Sequence, residues 1–68
     1  MRNEFQGLYA LVPETGQISY EDLYQKANAS QIQYFHDMRR LGVLDVELTR
    51  NSDGKLITMV SRGGNNAD

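Results

Sequence analysis

The feature that most restricts the fold is a segment of alternating side chains followed by a cluster of turn residues. From residue 44 to residue 49 the sequence reads LDVELT, so apolar and polar side chains alternate. A period of two residues is typical of a β-strand with one buried face. Residues 51–54 read NSDG, a composition that favours a turn. We therefore predict a β-hairpin in the second half of the chain.

The apolar pattern also predicts the register of this hairpin. A four-residue loop pairs Leu48 with Ile57 and Val46 with Met59 on the buried face. A shift of one residue would send these side chains to the opposite face, so the pattern defines the register. The outward pairs are then Arg50–Lys55, Thr49–Leu56, Glu47–Thr58 and Asp45–Val60.

A first amphipathic helix is predicted over residues 3–12. Asn3 is its expected N-cap, and Gln6 has the spacing of a capping box. Pro13 ends the helix, because proline restricts the preceding residue and lacks a backbone N–H. The apolar stripe has the helical spacing i, i+3, i+4, i+7 and consists of Phe5, Leu8, Tyr9 and Val12.

A second helix is predicted over residues 20–27. Ser19 and Asp22 form an S-x-x-D capping signal, and Ile18 and Leu23 are spaced for a hydrophobic staple. A helix of about two turns is unstable alone in water, so tertiary packing must hold it.

A third helix is predicted over residues 31–41. Asn28 is expected to adopt the left-handed conformation in a tight turn, and Ser30 to cap the helix with Gln33. Gly42 follows as the C′ residue. The side expected to face the core carries Ile32, Phe35, Met38 and Leu41.

Length and composition limit the remaining classes. With 68 residues the chain forms one domain, here residues 1–62, followed by a tail at 63–68 that we expect to be disordered. The absence of cysteine excludes a disulfide scaffold and a thiolate metal site. No apolar run reaches the ~18 residues of a membrane span, and we expect a cytoplasmic protein without membrane contact.

The order of these elements resembles that of the winged helix-turn-helix superfamily, an α+β fold with three helices followed by a two-stranded hairpin wing. The local resemblance lies in residues 16–23, which enter the second helix, in residues 28–30 at the helix-turn-helix corner, and in residues 38–44, which leave the third helix. Asn28 stands at that corner where glycine is commoner. The resemblance covers residues 3–62 and is specific for fold rather than function.

The resemblance implies a function in DNA binding. The third helix would lie in the major groove, and the wing would contact the backbone or the minor groove of double-stranded DNA. The chain would then be a transcription regulator, an excisionase-like protein or a replication accessory factor. The residues that would face DNA are Ser30, Gln31, Gln33, Tyr34, Asp37 and Arg40, with Arg50 and Lys55 at the tip of the wing.

Each of the main candidate contacts has an alternative interpretation. Gln33 suits adenine, but it also completes the expected capping box. Arg40 suits guanine, but Asp37 lies three residues before it as an ion-pair partner. Arg50 and Lys55 suit phosphates, but charges at a hairpin tip also protect an exposed strand edge.

Other chemistries have little support in the sequence. His36 is the only histidine and has no second metal ligand at helical spacing, so we expect a surface side chain. Arg39 projects near the apolar side and is expected to cover the core with its stem. No set of residues indicates catalysis, so we expect no enzyme activity, no cofactor, no metal and no small-molecule substrate. Tyr20, Tyr24 and Tyr34 are expected at the margin of the core.

The charge distribution argues against a strong solitary DNA binder. The net charge is −2, of which residues 1–34 carry −2 and residues 35–68 carry zero. A neutral contact half predicts weak, salt-sensitive binding by a monomer. We therefore expect a homodimer or a protein partner. The alternative function is protein–protein interaction without DNA, as a homodimer or as an inhibitor or adaptor of a nucleic-acid machine.

Overall fold

The computed structural model describes residues 1–65 and has an α+β architecture, as the sequence predicts. Three strands form an antiparallel sheet in the order β1-β3-β2. No helix among the described residues is long and apolar enough to cross a membrane. The elements are α1 (Asn3–Leu11), β1 (Ile18–Ser19), α2 (Tyr20–Lys26), α3 (Ala29–Ile32), α4 (Phe35–Arg40), β2 (Leu44–Arg50) and β3 (Leu56–Arg62).

The core lies between the helices and one face of the sheet. Every helix except α3 supplies at least one fully buried side chain, Val12 follows α1, and the base of the hairpin supplies Val43, Leu44 and Val60. The third strand, β1, has only two residues, and it pairs with β3 through Ile18–Val60 and Ser19–Met59. The buried core residues are Phe5, Leu8, Val12, Leu23, Met38, Val43, Leu44 and Val60.

The predicted N-cap of the first helix is wrong by one residue. Arg2 is the N-cap, with extended backbone angles and no side-chain cap. Asn3 already belongs to the helix, and its Oδ1 accepts a hydrogen bond from Gln6 Nε2 at 3.5 Å rather than from a backbone N–H. The second helix begins as predicted, because Ser19 Oγ accepts the Asp22 N–H at 3.1 Å.

The predicted third helix is two helices, and its start is also different. Asn28 is the N-cap with φ −88° and an extended backbone, not the left-handed residue that was expected. Its Oδ1 accepts the Gln31 N–H at 2.9 Å, and Gln31 Oε1 accepts the Asn28 N–H at 2.9 Å. This reciprocal capping box lies earlier in the chain than the expected Ser30–Gln33 pair, because asparagine caps at least as well as serine.

The helix breaks after Ile32 because two hydrogen bonds replace the regular pattern. Gln33 Nε2 donates to the Ser30 carbonyl at 3.0 Å, so a side chain takes that acceptor. The Tyr34 N–H donates instead to the Gln31 carbonyl at 3.3 Å, an i→i+3 bond that tightens the turn. α4 then begins at Phe35.

The end of α4 has the geometry that the sequence predicts. Gly42 has φ +80°, the left-handed conformation that glycine adopts without steric cost. Its N–H donates to the Arg39 carbonyl at 3.1 Å, and the Val43 N–H donates to the Met38 carbonyl at 2.8 Å. These two bonds form a Schellman motif that directs the chain into β2.

The predicted hairpin register is wrong by one residue. Val46 pairs with Val60 and Leu48 pairs with Thr58, because the loop spans five residues, 51–55, rather than four. The loop is held by the Asn51 side chain, whose Oδ1 accepts backbone N–H groups from two loop residues at 2.9 and 3.0 Å.

The corrected register exchanges the faces of β3. Val60, which was expected to point outward, is fully buried. Leu56 shares its face, whereas Ile57 and Met59 lie on the outer face of the sheet and are half-buried. The alternation in β3 thus follows its even-numbered residues.

The expected tail is partly described. The Gly63 N–H donates to the Val43 carbonyl at 2.8 Å, and Asn65 Nδ2 donates to the Leu41 carbonyl at 2.6 Å. These bonds attach the segment to the turn after α4. Residues 66–68 of the expected tail lie outside the described residues.

Candidate nucleic-acid interface

A groove lies between the helices and the inner face of the β2–β3 hairpin. We call it the helix–hairpin groove; its volume is about 650 Å³. It exists because Leu44 and Val60 bury the base of the hairpin, whereas the strands continue beyond the core. Its lining residues are Tyr20, Ile32, Gln33, Phe35, His36, Arg39, Val46, Leu48 and Thr58.

The helical wall of the groove combines an apolar floor with a polar rim. Phe35 is half-buried, and its ring meets Tyr20 edge-on at a centroid distance of 4.8 Å. Gln33, His36 and Arg39 are exposed and lie along the same wall. This rim offers hydrogen-bond donors and one permanent positive charge to a ligand in the groove.

The hairpin wall is apolar and open to solvent. The Leu48 residue is 66% exposed. A second depression adjoins the groove and shares Tyr20 and Thr58 with it. Lys55 and Leu56 line this depression, and Leu56 is 56% exposed. The two depressions form one continuous surface from α4 to the hairpin loop.

Two of the predicted DNA-facing residues take part in the capping network at the start of α3. Ser30 Oγ donates to Asn28 Oδ1 at 2.9 Å, and Gln31 forms the other half of the capping box. Gln31 is also half-buried against α1, since a Cβ placed on Gly7 would lie 3.0 Å from its Nε2. Gln31 therefore connects α3 to α1.

The next two predicted residues differ in exposure. Gln33 is exposed and lines the groove, although its Nε2 is bonded to the Ser30 carbonyl. Tyr34 is half-buried, and its ring meets Phe5 edge-on at 5.9 Å. Tyr34 thus packs at the margin of the core, the position expected from the sequence for this tyrosine when it does not face DNA.

Asp37 and Arg40 form the ion pair that their spacing predicts. Arg40 Nη2 lies 3.1 Å from Asp37 Oδ1, and the two side chains are 75% and 50% exposed. Neither residue lines the groove. A solvent-exposed pair of this kind is weak, so a phosphate can compete for the guanidinium.

The two cations at the hairpin tip have different surroundings. Arg50 Nη1 donates to the Gly54 carbonyl at 2.6 Å and so closes the loop. The Lys55 side chain is exposed and has no hydrogen-bond or ion-pair partner within residues 1–65. Lys55 is therefore the more available of the two for an anionic ligand.

The projection of one continuous helix misplaced Arg39 and gave no role to His36. Arg39 was expected to cover the core, yet it is exposed on the groove wall beside His36. The break at Gln33 and Tyr34 changes the direction in which α4 presents its side chains. The sequence did contain a signal for this break, since two overlapping capping boxes begin at Asn28 and at Ser30.

Charged side chains lie on both faces of the hairpin. Arg39 lines the groove, Lys55 and Glu21 line the adjoining depression, and Asp45 and Glu47 lie on the outer face of β2. Gln17 Nε2 contacts Glu47 Oε1 at 3.5 Å on that outer face.

Comparison of the chain with protein-family models, with curated proteins and with solved structures gives no significant match, so the winged-helix resemblance and its implied residues stay predictions.

Proposed function

We propose that this protein is a small winged-helix protein that binds double-stranded DNA, as a transcription regulator, an excisionase-like protein or a replication accessory factor. The observation that carries the proposal is the alignment of Gln33, His36 and Arg39 along the helical wall of the groove. These three side chains are exposed and have the chemistry that base edges and phosphates accept.

The topology supports the same interpretation. A helix–turn–helix pair is followed by the β2–β3 hairpin, and the short strand β1 pairs with β3. This order is compatible with the winged-helix arrangement. In that arrangement a helix and a hairpin contact the same duplex. Here the groove joins α4 to the hairpin, so one duplex can contact both.

Two of the proposed contacts, Gln33 and Lys55, are among those that the sequence implied, and Arg39 is added to them. Arg39 and Lys55 supply the phosphate contacts, because they are exposed and not held by another side chain of the described residues. Gln33 reads a base edge after releasing the Ser30 carbonyl to water. Gln31 and Tyr34 support the surface from behind, since both are half-buried.

A fluorescence anisotropy titration of labelled duplex DNA tests this proposal. Binding at ~50 mM salt should weaken as salt rises, because each neutralised phosphate releases counterions. Arg39→Gln and Lys55→Gln should each lower the salt slope by about 1. Lys26→Gln is the matched control, since Lys26 is exposed on α2 and lines neither depression. Equal effects of all three variants, or no binding at low salt, would contradict the proposal.

Protein–protein interaction without DNA is the second candidate function. The large exposed fractions of Leu48 and Leu56 favour it, because apolar side chains on a concave surface are typical of protein contacts. Leu56→Ser separates the two: it should leave DNA affinity within about twofold if phosphates dominate binding. A loss of binding that does not depend on salt would favour the apolar contact instead.

A further inference from the structure

The sheet of this protein ends in a long strand with a free edge. β2 spans Leu44–Arg50 and is the outermost strand of the order β1-β3-β2. Its other side is paired with β3 along all seven residues. No strand of the described residues covers the outer side of β2, so its outward backbone groups have no ladder partner. An edge of this length is a template for pairing with another strand.

The hydrogen bonds at both ends of the hairpin show which backbone groups point to this edge. Val43 accepts from the Gly63 N–H at 2.8 Å, and the Asn51 N–H donates to the Lys55 carbonyl at 3.0 Å. Both pairs extend the register of the ladder, in which bonded and non-bonded pairs alternate. Odd-numbered residues of β2 therefore bond to β3. The residues that direct N–H and C=O to the free edge are Leu44, Val46, Leu48 and Arg50.

The same edge carries the most exposed large apolar residue that the structure describes. Leu48 is 66% exposed, although it lies on the face of the sheet that covers the core. Val46 beside it is half-buried. An apolar side chain next to unpaired backbone groups is what a strand partner would cover.

We propose that β2 pairs antiparallel with β2 of a second copy of this chain, in a register centred on Leu48. The pair of strands makes an isologous two-fold contact and joins two three-stranded sheets into one. The two Leu48 side chains lie directly opposite each other on the inner face. Each covers apolar surface of the other that solvent contacts in a single chain.

Charge selects this register among the neighbouring ones. Centring on Leu48 places Glu47 opposite the partner's Thr49, and Val46 opposite the partner's Arg50. Centring on Glu47 places two carboxylates opposite each other. Centring on Val46 places Asp45 opposite the partner's Glu47, twice. Like charges directly opposite each other destabilise a strand pair.

The length of the ladder excludes the next register toward the hairpin loop, which is centred on Thr49. Centring on Thr49 opposes no like charges, but it pairs only residues 48–50 of the two strands. Centring on Leu48 pairs residues 46–50. The longer ladder satisfies more of the outward N–H and C=O groups, and it is therefore the favoured one.

The proposed dimer goes beyond DNA binding and does not depend on it. The two-fold axis runs perpendicular to the joined sheet, so both helix–hairpin grooves open on the same face. Two weak DNA sites would then act together, which suits a domain with few cations. Dimerisation is measured without DNA, so a failure of DNA binding leaves the result unchanged.

Single-cysteine variants test both the dimer and its register, because the chain has no native cysteine. On the free edge, residues 47 and 49 form a non-hydrogen-bonded pair with a Cα separation of ~4.5 Å, which a disulfide spans. Oxidation of mixed Glu47→Cys and Thr49→Cys chains should give a disulfide between one chain of each kind. Either variant alone should cross-link at least about tenfold less.

A second pair of variants keeps the test independent of cysteine chemistry. Leu48→Lys should raise the dissociation constant of the dimer by about tenfold or more in sedimentation equilibrium, because it places two cations opposite each other. Leu56→Lys is the matched control: it alters a similarly exposed leucine on β3, away from the β2 edge, and should leave the constant within about twofold.

Three results would overturn the proposal. One is a protein that stays monomeric up to ~1 mM, because the β2 edges would then not pair at any concentration tested. Another is efficient cross-linking of Glu47→Cys or Thr49→Cys alone, which indicates a different register. The third is an equal loss of dimer in Leu48→Lys and Leu56→Lys, which indicates contact through the hairpin tip.

Discussion

Arg62 Nε donates a hydrogen bond of 2.9 Å to the carbonyl oxygen of Val12, fifty positions earlier in the chain. The Arg62 guanidinium also lies 4.2 Å from the centroid of the Tyr9 ring. This contact joins the last strand to the end of the first helix, where Pro13 prevents further helical bonding. The contact therefore links the N-terminal helix to the C-terminal strand of the domain.

Arg62→Met should lower the free energy of unfolding by about 1–3 kcal/mol, because it removes a charge-assisted hydrogen bond and a cation–π contact. Urea denaturation measures the change. Arg39→Met is the control, since the Arg39 side chain is exposed and has no hydrogen-bond or ion-pair partner within residues 1–65, and it should cost less than about 0.5 kcal/mol. Equal losses in the two variants would show that the closure by Arg62 adds no stability.

Gly63→Ala should destabilise the domain by about 1–3 kcal/mol through overpacking. A Cβ at position 63 would lie 2.1 Å from the carbonyl oxygen of Gly42, so the backbone must move. Gly64→Ala is a matched control, because a Cβ there meets no atom within 4 Å. Thermal unfolding of both variants makes the comparison, and similar midpoints would contradict the close approach.

Asn28→Ala should cost about 1 kcal/mol, because it removes the side-chain half of the capping box at the start of α3. Ser30→Ala should stay within about 0.5 kcal/mol, since the Ser30 hydroxyl only donates to the Asn28 side chain. The sequence had favoured Ser30 as the cap. The reverse order of the two losses in urea denaturation would restore that expectation.

Much of the fold could be predicted from local patterns. The stripe of α1, the Ser19 cap of α2 and the left-handed Gly42 each depend on residues within one or two helical turns, and all three are confirmed. The α+β class follows from the order of these signals.

The errors arose where two local solutions compete. Asn28 and Ser30 each begin a capping box, and the packing of Gln31 against Gly7 in α1 adds a long-range contact to the earlier one. Loops of four and of five residues have equal turn chemistry here, and the burial of Val60 favours the five-residue loop. Both choices depend on contacts distant in sequence, which periodicity does not contain.

Arg39→Gln should weaken the binding of duplex DNA by about three- to tenfold at ~50 mM salt and have less effect at ~200 mM, where phosphate contacts are screened. The free energy of unfolding should change by less than about 0.5 kcal/mol, since Arg39 is exposed. Anisotropy and urea denaturation on one preparation separate the two effects. A weaker complex at every salt concentration with a less stable fold would instead assign Arg39 a structural role.

The most direct test of the proposed function is an amide-shift titration of labelled protein with random-sequence duplex DNA at ~50 mM salt. We expect shifts along the helix–hairpin groove and the adjoining depression, at Gln33, His36, Arg39 and Lys55, that disappear as salt rises. Lys26 and the outer-face residue Glu47 should remain unchanged. Unchanged spectra at low salt, or shifts spread equally over the groove and the outer face, would contradict the proposed function.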